Sequence, residues 1–168
     1  MKGDVIQPVA VSYPQFPEME IVYIRHKGSY AGNSRLFISL YKKLMNWIES
    51  QGLEQYSSTK SIVIYHDPKG ITNEENLRIS VGINVTREVS TDGEIGKLRI
   101  AEGQYAKCTF KLKNEDYGKA WKQVYRTILP KEGLQPNDGY CFEMYSHDCF
   151  NNEDYTTTVD ICVPVKRI

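Results

Sequence analysis

Leu77-Arg78-Ile79-Ser80-Val81-Gly82-Ile83-Asn84-Val85 alternates without a break. Successive side chains of a strand leave opposite faces, so Leu77, Ile79, Val81, Ile83 and Val85 share a buried face. Arg78, Ser80, Gly82 and Asn84 take the freer one. Just upstream, Ser61 to His66 reads as a short apolar strand closed by Asp67-Pro68-Lys69-Gly70, whose residues favour a turn. Earlier still, Ser34 to Ser50 sets Leu36, Leu40, Leu44, Trp47 and Ile48 on one helical face, with Gly52 as the stop. Met19 to His26, rich in β-branched and aromatic residues, reads as the first strand and ends at Lys27-Gly28-Ser29. The order is strand, helix, strand, strand.

The same order returns after the polar, glycine-containing stretch Thr86 to Gly96, which reads as a connection between halves. Gln104 to Leu112 is a strand. Tyr117 to Leu129 carries Tyr117, Trp121, Tyr125, Ile128 and Leu129 at helical spacing, and Gly133-Leu134 ends it as Gly52-Leu53 ends the first helix. Tyr140 to Tyr145 matches Ser61 to Tyr65, and Thr157 to Val165 alternates like Leu77 to Val85. Two pseudo-repeats, about residues 17–86 and 97–168, thus form one domain over 1–168. The expected architecture is α+β, duplicated strand-helix-strand-strand units forming an antiparallel sheet covered by two main helices, with a ligand cleft along the pseudo-twofold seam.

A chain of 168 residues is long enough for a sizeable core. Lys plus Arg equals Asp plus Glu at 21 each, so no strong field draws in nucleic acid or anionic lipid. The N-terminus, Met1-Lys2-Gly3-Asp4, begins no continuous apolar stretch, so a cytoplasmic protein without signal peptide or membrane span is expected. Cys108, Cys141, Cys149 and Cys162 form no C-x-x-C pair and read as free thiols. His26, His66 and His147 do not cluster, and no phosphate loop, dinucleotide fingerprint or serine elbow is present. No cofactor and no metal is expected. His66-Asp67 reads as a strand end, since adjacent strand residues face opposite ways.

One residue breaks the repeat. Phe142-Glu143-Met144-Tyr145 stands where the first half has Ile62-Val63-Ile64-Tyr65, so a glutamate replaces a valine. Cys141, Glu143 and Tyr145 share a face, as Ser61, Val63 and Tyr65 do. An enclosed carboxylate costs several kcal/mol unless it is paired, hydrogen-bonded or protonated. Three readings follow: an exposed or ion-paired residue with Arg25 or Arg78 as partner, a counter-ion for a cationic ligand, or a general acid or base. The aromatic candidates to join it are Tyr65, Trp121, Tyr125 and Tyr145, each equally compatible with core packing. Cation-π attraction would add roughly 0.5 to 2 kcal/mol per ring.

These segments resemble the GyrI-like small-molecule-binding domain, found also as the effector-binding domain of AraC-type and MerR-type multidrug-sensing regulators. The resemblance rests on Val22-Tyr23-Ile24-Arg25-His26-Lys27-Gly28-Ser29-Tyr30, Ile64-Tyr65-His66-Asp67-Pro68, Gly93-Glu94-Ile95-Gly96, Tyr117-Gly118-Lys119-Ala120-Trp121, Phe142-Glu143-Met144-Tyr145 and Val159-Asp160-Ile161-Cys162-Val163-Pro164-Val165. It implies a ligand cleft between halves, with Glu143 at the base of an aromatic pocket for lipophilic cations. Tyr65 and Trp121 carry over less specifically. The regulators place a helix-turn-helix before this domain, so the sequence reads as a stand-alone member without direct nucleic-acid binding. Stand-alone members resemble the DNA gyrase inhibitor or hydrolases of strained alkylating compounds that use a glutamate with aromatic partners. The expectation is a binding module for small lipophilic or aromatic organic molecules, cationic ones above all, that senses or sequesters drugs or toxins. The alternatives are such a hydrolase built on Glu143 and a gyrase-binding protein. A homodimer through edge strands is also considered.

Overall fold

A computed structural model describes residues 6–67 and 71–168, apart from the side chains of Ser58 and Thr59. Most of the expected Asp67-Pro68-Lys69-Gly70 turn and the Met1-Lys2-Gly3-Asp4 start therefore lie outside the described residues. The chain divides into two compact units. One is continuous, Glu18–Ala101; the other joins the chain up to Pro17 with Glu102–Ile168.

In the continuous unit, β3 (Met19–Lys27) is an inner strand of the sheet. It pairs antiparallel with β5 (Arg78–Val85) on one side and β6 (Ile95–Ile100) on the other, and β4 (Ser57–Tyr65) pairs with β5. The strand order is β4-β5-β3-β6. Helix α1 (Ser34–Ser50) packs on β3 and β5 through Leu40, Leu44 and Ile48. Leu44 and Ile48 are fully buried, worth about 2 kcal/mol each in apolar area removed from water. The Asn33 side chain caps the start by accepting from the Leu36 N–H at 3.1 Å. At the exit Gly52 adopts φ 67°, and the N–H groups of Gly52 and Leu53 close on the Glu49 and Ile48 carbonyls at 3.0 Å.

The second unit has the same plan. Its first strand, β7 (Gly103–Leu112), pairs with β11 (Thr156–Arg167) and with β1 (Ala10–Ser12), and β9 (Phe142–Tyr145) pairs with β11. The order β9-β11-β7-β1 matches the first unit strand for strand. Three short strands are added: β2 (Gln15–Phe16) on β7, and β8 (Leu134–Pro136) and β10 (Phe150–Asn151) on β11. Ala106, Cys108, Phe110, Val159, Ile161 and Val163 of β7 and β11 form the core with Ala120 and Val124 of the helix above. The fold is therefore α+β and antiparallel, as the alternation predicts.

Two expectations are corrected. The stretch Thr86 to Gly96 does not run on as a connection, because β6 starts at Ile95 and completes the first unit's sheet. The helix expected from Tyr117 to Leu129 is α2 (Tyr117–Gln123), a wide π turn (Val124–Ile128) and α3 (Leu129–Lys131). Pro130 accounts for the break: it has no N–H, and its ring collides with the carbonyl four residues back. The turn opens so that the Leu129 N–H reaches the Val124 carbonyl, taking up one residue more than an α turn. Accordingly the helices align at an offset of 80 residues through Ile48 and Ile128, and at 81 by Gly52 and Gly133.

Candidate functional site

Glu143 is 1% exposed, at the middle of β9 opposite Ile161. The Trp121 indole N–H donates to its Oε2 at 2.7 Å, and the Tyr145 hydroxyl donates to its Oε1 at 2.6 Å. Both are short bonds of the charge-assisted kind, and both come from neutral groups.

The geometry follows from two periods. Along α2 and the π turn, Tyr117, Trp121 and Tyr125 recur every four residues; along β9 and the residue before it, Cys141, Glu143 and Tyr145 recur every two. Four helical residues rise about 6 Å and two strand residues about 6.7 Å, so a helix facing a strand meets it rung by rung. Three rungs result. Tyr117 and Tyr145 lie with hydroxyls 3.3 Å apart, Trp121 meets Glu143, and the Tyr125 hydroxyl donates to the Cys141 Sγ at 3.3 Å. The Trp121 and Tyr125 rings stack at 6.0 Å between centroids, 23° from parallel.

Electrostatics follow the enclosure. Burial, with the charge of Glu143 behind it, pushes the Tyr117 phenol up to about 12. Burial likewise pushes up the Tyr125 phenol and the Cys141 thiol. All three hydroxyl and thiol groups thus stay neutral across the physiological range, a wall of dipoles around one carboxylate. Tyr125 keeps 38% of its surface exposed, so this end of the ladder opens to solvent.

Of the five residues expected from the sequence, Glu143, Trp121, Tyr145 and Tyr125 come together here. Tyr65 belongs to the other unit, where its ring sits 5.7 Å from that of Tyr30. Tyr117 and Cys141 complete the ladder and were not among the candidates. Their signal was present, since Tyr117 stands one helical turn before Trp121 and Cys141 shares the Glu143 face. Arg25 and Arg78, the arginines considered as neutralisers, are engaged in the first unit. Arg78 forks onto Asp67 at 2.8 Å, and Arg25 bonds Ser80 at 3.2 Å. His66 and Asp67 serve separately, His66 Nε2 lying 2.7 Å from Ser80 Oγ. None of the four cysteines is in a disulfide. Among the described residues no group of three or more His, Cys, Asp and Glu could hold a metal, and no helix is long and apolar enough to cross a membrane.

Residues 10–166 match the GyrI-like small molecule binding domain. The chain belongs to this family. A DNA gyrase inhibitor of Serratia proteamaculans is 30% identical over 130 residues, covering 75% of this chain and 80% of that protein. Among solved structures, the EcmrR C-terminal domain superposes with a TM-score of 0.68 at 16% identity, over 95% of this chain and 98% of that one. SAV2435, solved with tetraphenylphosphonium bound, superposes with a TM-score of 0.54 at 13% identity, over 94% of each chain. These likenesses agree on the fold, and membership of the family makes this a small-molecule-binding domain.

Proposed function

We propose that the protein binds lipophilic, aromatic organic cations, with Glu143 as counter-ion and Trp121, Tyr145 and Tyr125 as the aromatic wall. The observation that carries this reading is a carboxylate 1% exposed that accepts hydrogen bonds from two aromatic side chains, Trp121 and Tyr145. Such donors orient the carboxylate, and a cation placed against the rings meets its charge together with the aromatic faces. That SAV2435 was solved with tetraphenylphosphonium supports the choice of ligand class.

The test is a titration with tetraphenylphosphonium, followed by quenching of tryptophan fluorescence and by calorimetry. Wild type should saturate, and Glu143→Gln, which keeps the shape and removes the charge, should bind roughly tenfold or more weakly. Equal affinity in the two proteins would exclude a counter-ion role.

A second reading is favoured by one observation, the 30% identity to a protein called DNA gyrase inhibitor. In that reading the chain acts on gyrase directly. A supercoiling assay with purified gyrase decides it: inhibition that persists in Glu143→Gln would separate a protein-binding surface from the ladder.

A further inference from the structure

Tyr23, Arg25 and Lys27 alternate along β3 and so share one face of the sheet. Across the ladder they meet Gly82, Ser80 and Arg78 of β5, and on its other side Tyr23 meets Gly96 of β6. A Cβ at Gly96 would stand 2.6 Å from the Tyr23 Cζ and hydroxyl oxygen, so the ring lies in the space that the missing side chain leaves. Arg25 rests on that ring, its Cζ 4.9 Å from the centroid. Its Nε–H donates to Ser80 Oγ at 3.2 Å. Ser80 is 0% exposed, and with Arg25 as donor the serine proton goes on to His66 Nε2 at 2.7 Å. His66 suits that part: burial, then the charges of Arg25 and Arg78, push it down to about 4, so its ring is neutral and can accept.

A guanidinium carries about five N–H donors, and the bond to Ser80 uses only the one at Nε. The Nη donors are left on a side chain that is exposed. Among the described residues no carboxylate pairs with Arg25 or Lys27. The acids flanking these strands are engaged, Asp67 on Arg78 at 2.8 Å and Glu94 on Lys43 at 4.0 Å. The other unit shows the alternative. Val81 lies opposite Val63 as Ile161 lies opposite Glu143, so Ser80 occupies the place of Asp160. Asp160 accepts from Thr109 at 2.5 Å and sits 4.0 Å from Lys107, while Lys111 sits 3.4 Å from Asp154. The cations of β7 therefore have carboxylates within their own unit, and those of β3 do not.

We propose that Arg25, held by Ser80 and Tyr23 and flanked by Lys27, is a binding site for the oxyanion of a small molecule, a carboxylate or phosphate group. Such groups take paired N–H bonds from a guanidinium in one plane. Anchoring at Nε and on a ring fixes that plane beforehand, which lowers the side-chain ordering cost of binding. Lys27 adds a second positive charge two residues along the same face. The site lies within Glu18–Ala101, so the proposal does not rest on the reading of Glu143 as counter-ion.

The test is titration of the full chain with sodium phosphate and, separately, sodium benzoate at constant ionic strength, followed by the arginine Nε–H resonances and the Lys27 amide. The Arg25 resonance should move and saturate with a Kd on the order of 1 mM, as expected of a pair of charge-assisted bonds. The anion that saturates it at the lower concentration identifies the preferred group. Arg99 is the internal control: Glu18 and Glu20 already lie 3.7 and 3.1 Å from it, and its resonance should stay in place. Arg25→Lys keeps the charge and removes the fork, and Ser80→Ala releases Nε. Each should weaken binding roughly fivefold, read at the Lys27 amide. No saturating shift at Arg25 with either anion by roughly 20 mM, an equal shift at Arg99, or unchanged affinity in either variant would overturn the proposal.

Discussion

The two units place the same elements in the same order, yet only one of them builds a polar site. At the offset of 80 that aligns Val63 with Glu143, Trp121 aligns with Tyr41, Tyr117 with Phe37, Tyr125 with Met45 and Cys141 with Ser61. The replacements are concerted. Where the strand carries a carboxylate, all three facing helix residues carry a donor; where it carries valine, two of the three, Phe37 and Met45, carry none. A half-satisfied polar network is worse than an apolar core, so the two solutions are each consistent and a mixture would be neither. The scaffold tolerates either, because the rung spacing is set by backbone periods and is indifferent to what the rungs are made of.

The comparison breaks hardest if the mixture is made. Val63 is 6% exposed, and Val63→Glu buries a carboxylate where two of the three aligned helix positions, Phe37 and Met45, carry no donor. It should cost about 3 to 5 kcal/mol, seen as a fall in the urea midpoint at pH 7. Retention of wild-type stability would show that the first unit can supply donors of its own.

Acid should distinguish the units next. His66, where the second unit has Ser146, is pushed down to about 4 by burial and then by Arg25 and Arg78. Its folded value lies below the unfolded one of 6.5, so between these values the unfolded chain binds a proton that the folded chain refuses. Stability is complete above pH 6.5 and falls as the pH drops toward 4, by roughly 2 kcal/mol after allowance for partial exposure. Urea melts from pH 7 to pH 4.5 measure this, and His66→Gln should flatten the profile across that window.

The smallest effect sharpens the comparison within the site. A double-mutant cycle of Trp121→Phe with Glu143→Gln should give a coupling of roughly 1.5 kcal/mol, as for a hydrogen bond to a charged group. Tyr41→Phe with Val63→Thr, the aligned pair, should give a coupling near zero by the same denaturation measurement.

What the sequence revealed follows from which forces act locally. The long strands and α1 were legible because alternation and helical spacing are properties of the segment itself, and Glu143 stood out because the chain supplies its own reference in Val63. The strands that escaped notice are short or lie at an edge. In β6, Ile95-Gly96-Lys97-Leu98-Arg99-Ile100, charged residues interrupt the apolar pattern, and the strand exists because β3 offers it a partner. Its charges also suit an edge, with Arg99 bonded to Glu20 at 3.1 Å. The π turn was marked in advance by Pro130, although a proline so near a helix end is equally consistent with termination. Tyr117 lay in view on the helix face. Nothing local distinguishes it from a packing residue, since its role depends on a hydroxyl supplied by β9.

The edge strands carry one more consequence, for the order in which the molecule is made. β1 leads into β3 but pairs with β7, and β6 leads into β7 but pairs with β3. The unit Glu18–Ala101 is complete when Ala101 has emerged during translation. β1 must wait for a partner about a hundred residues downstream, as Ala10 pairs with Thr109. Closing a loop of that length adds roughly 4 kcal/mol of chain entropy to the cost of the contact. The half that holds Glu143 is therefore the later to assemble, after a half that already has its own core.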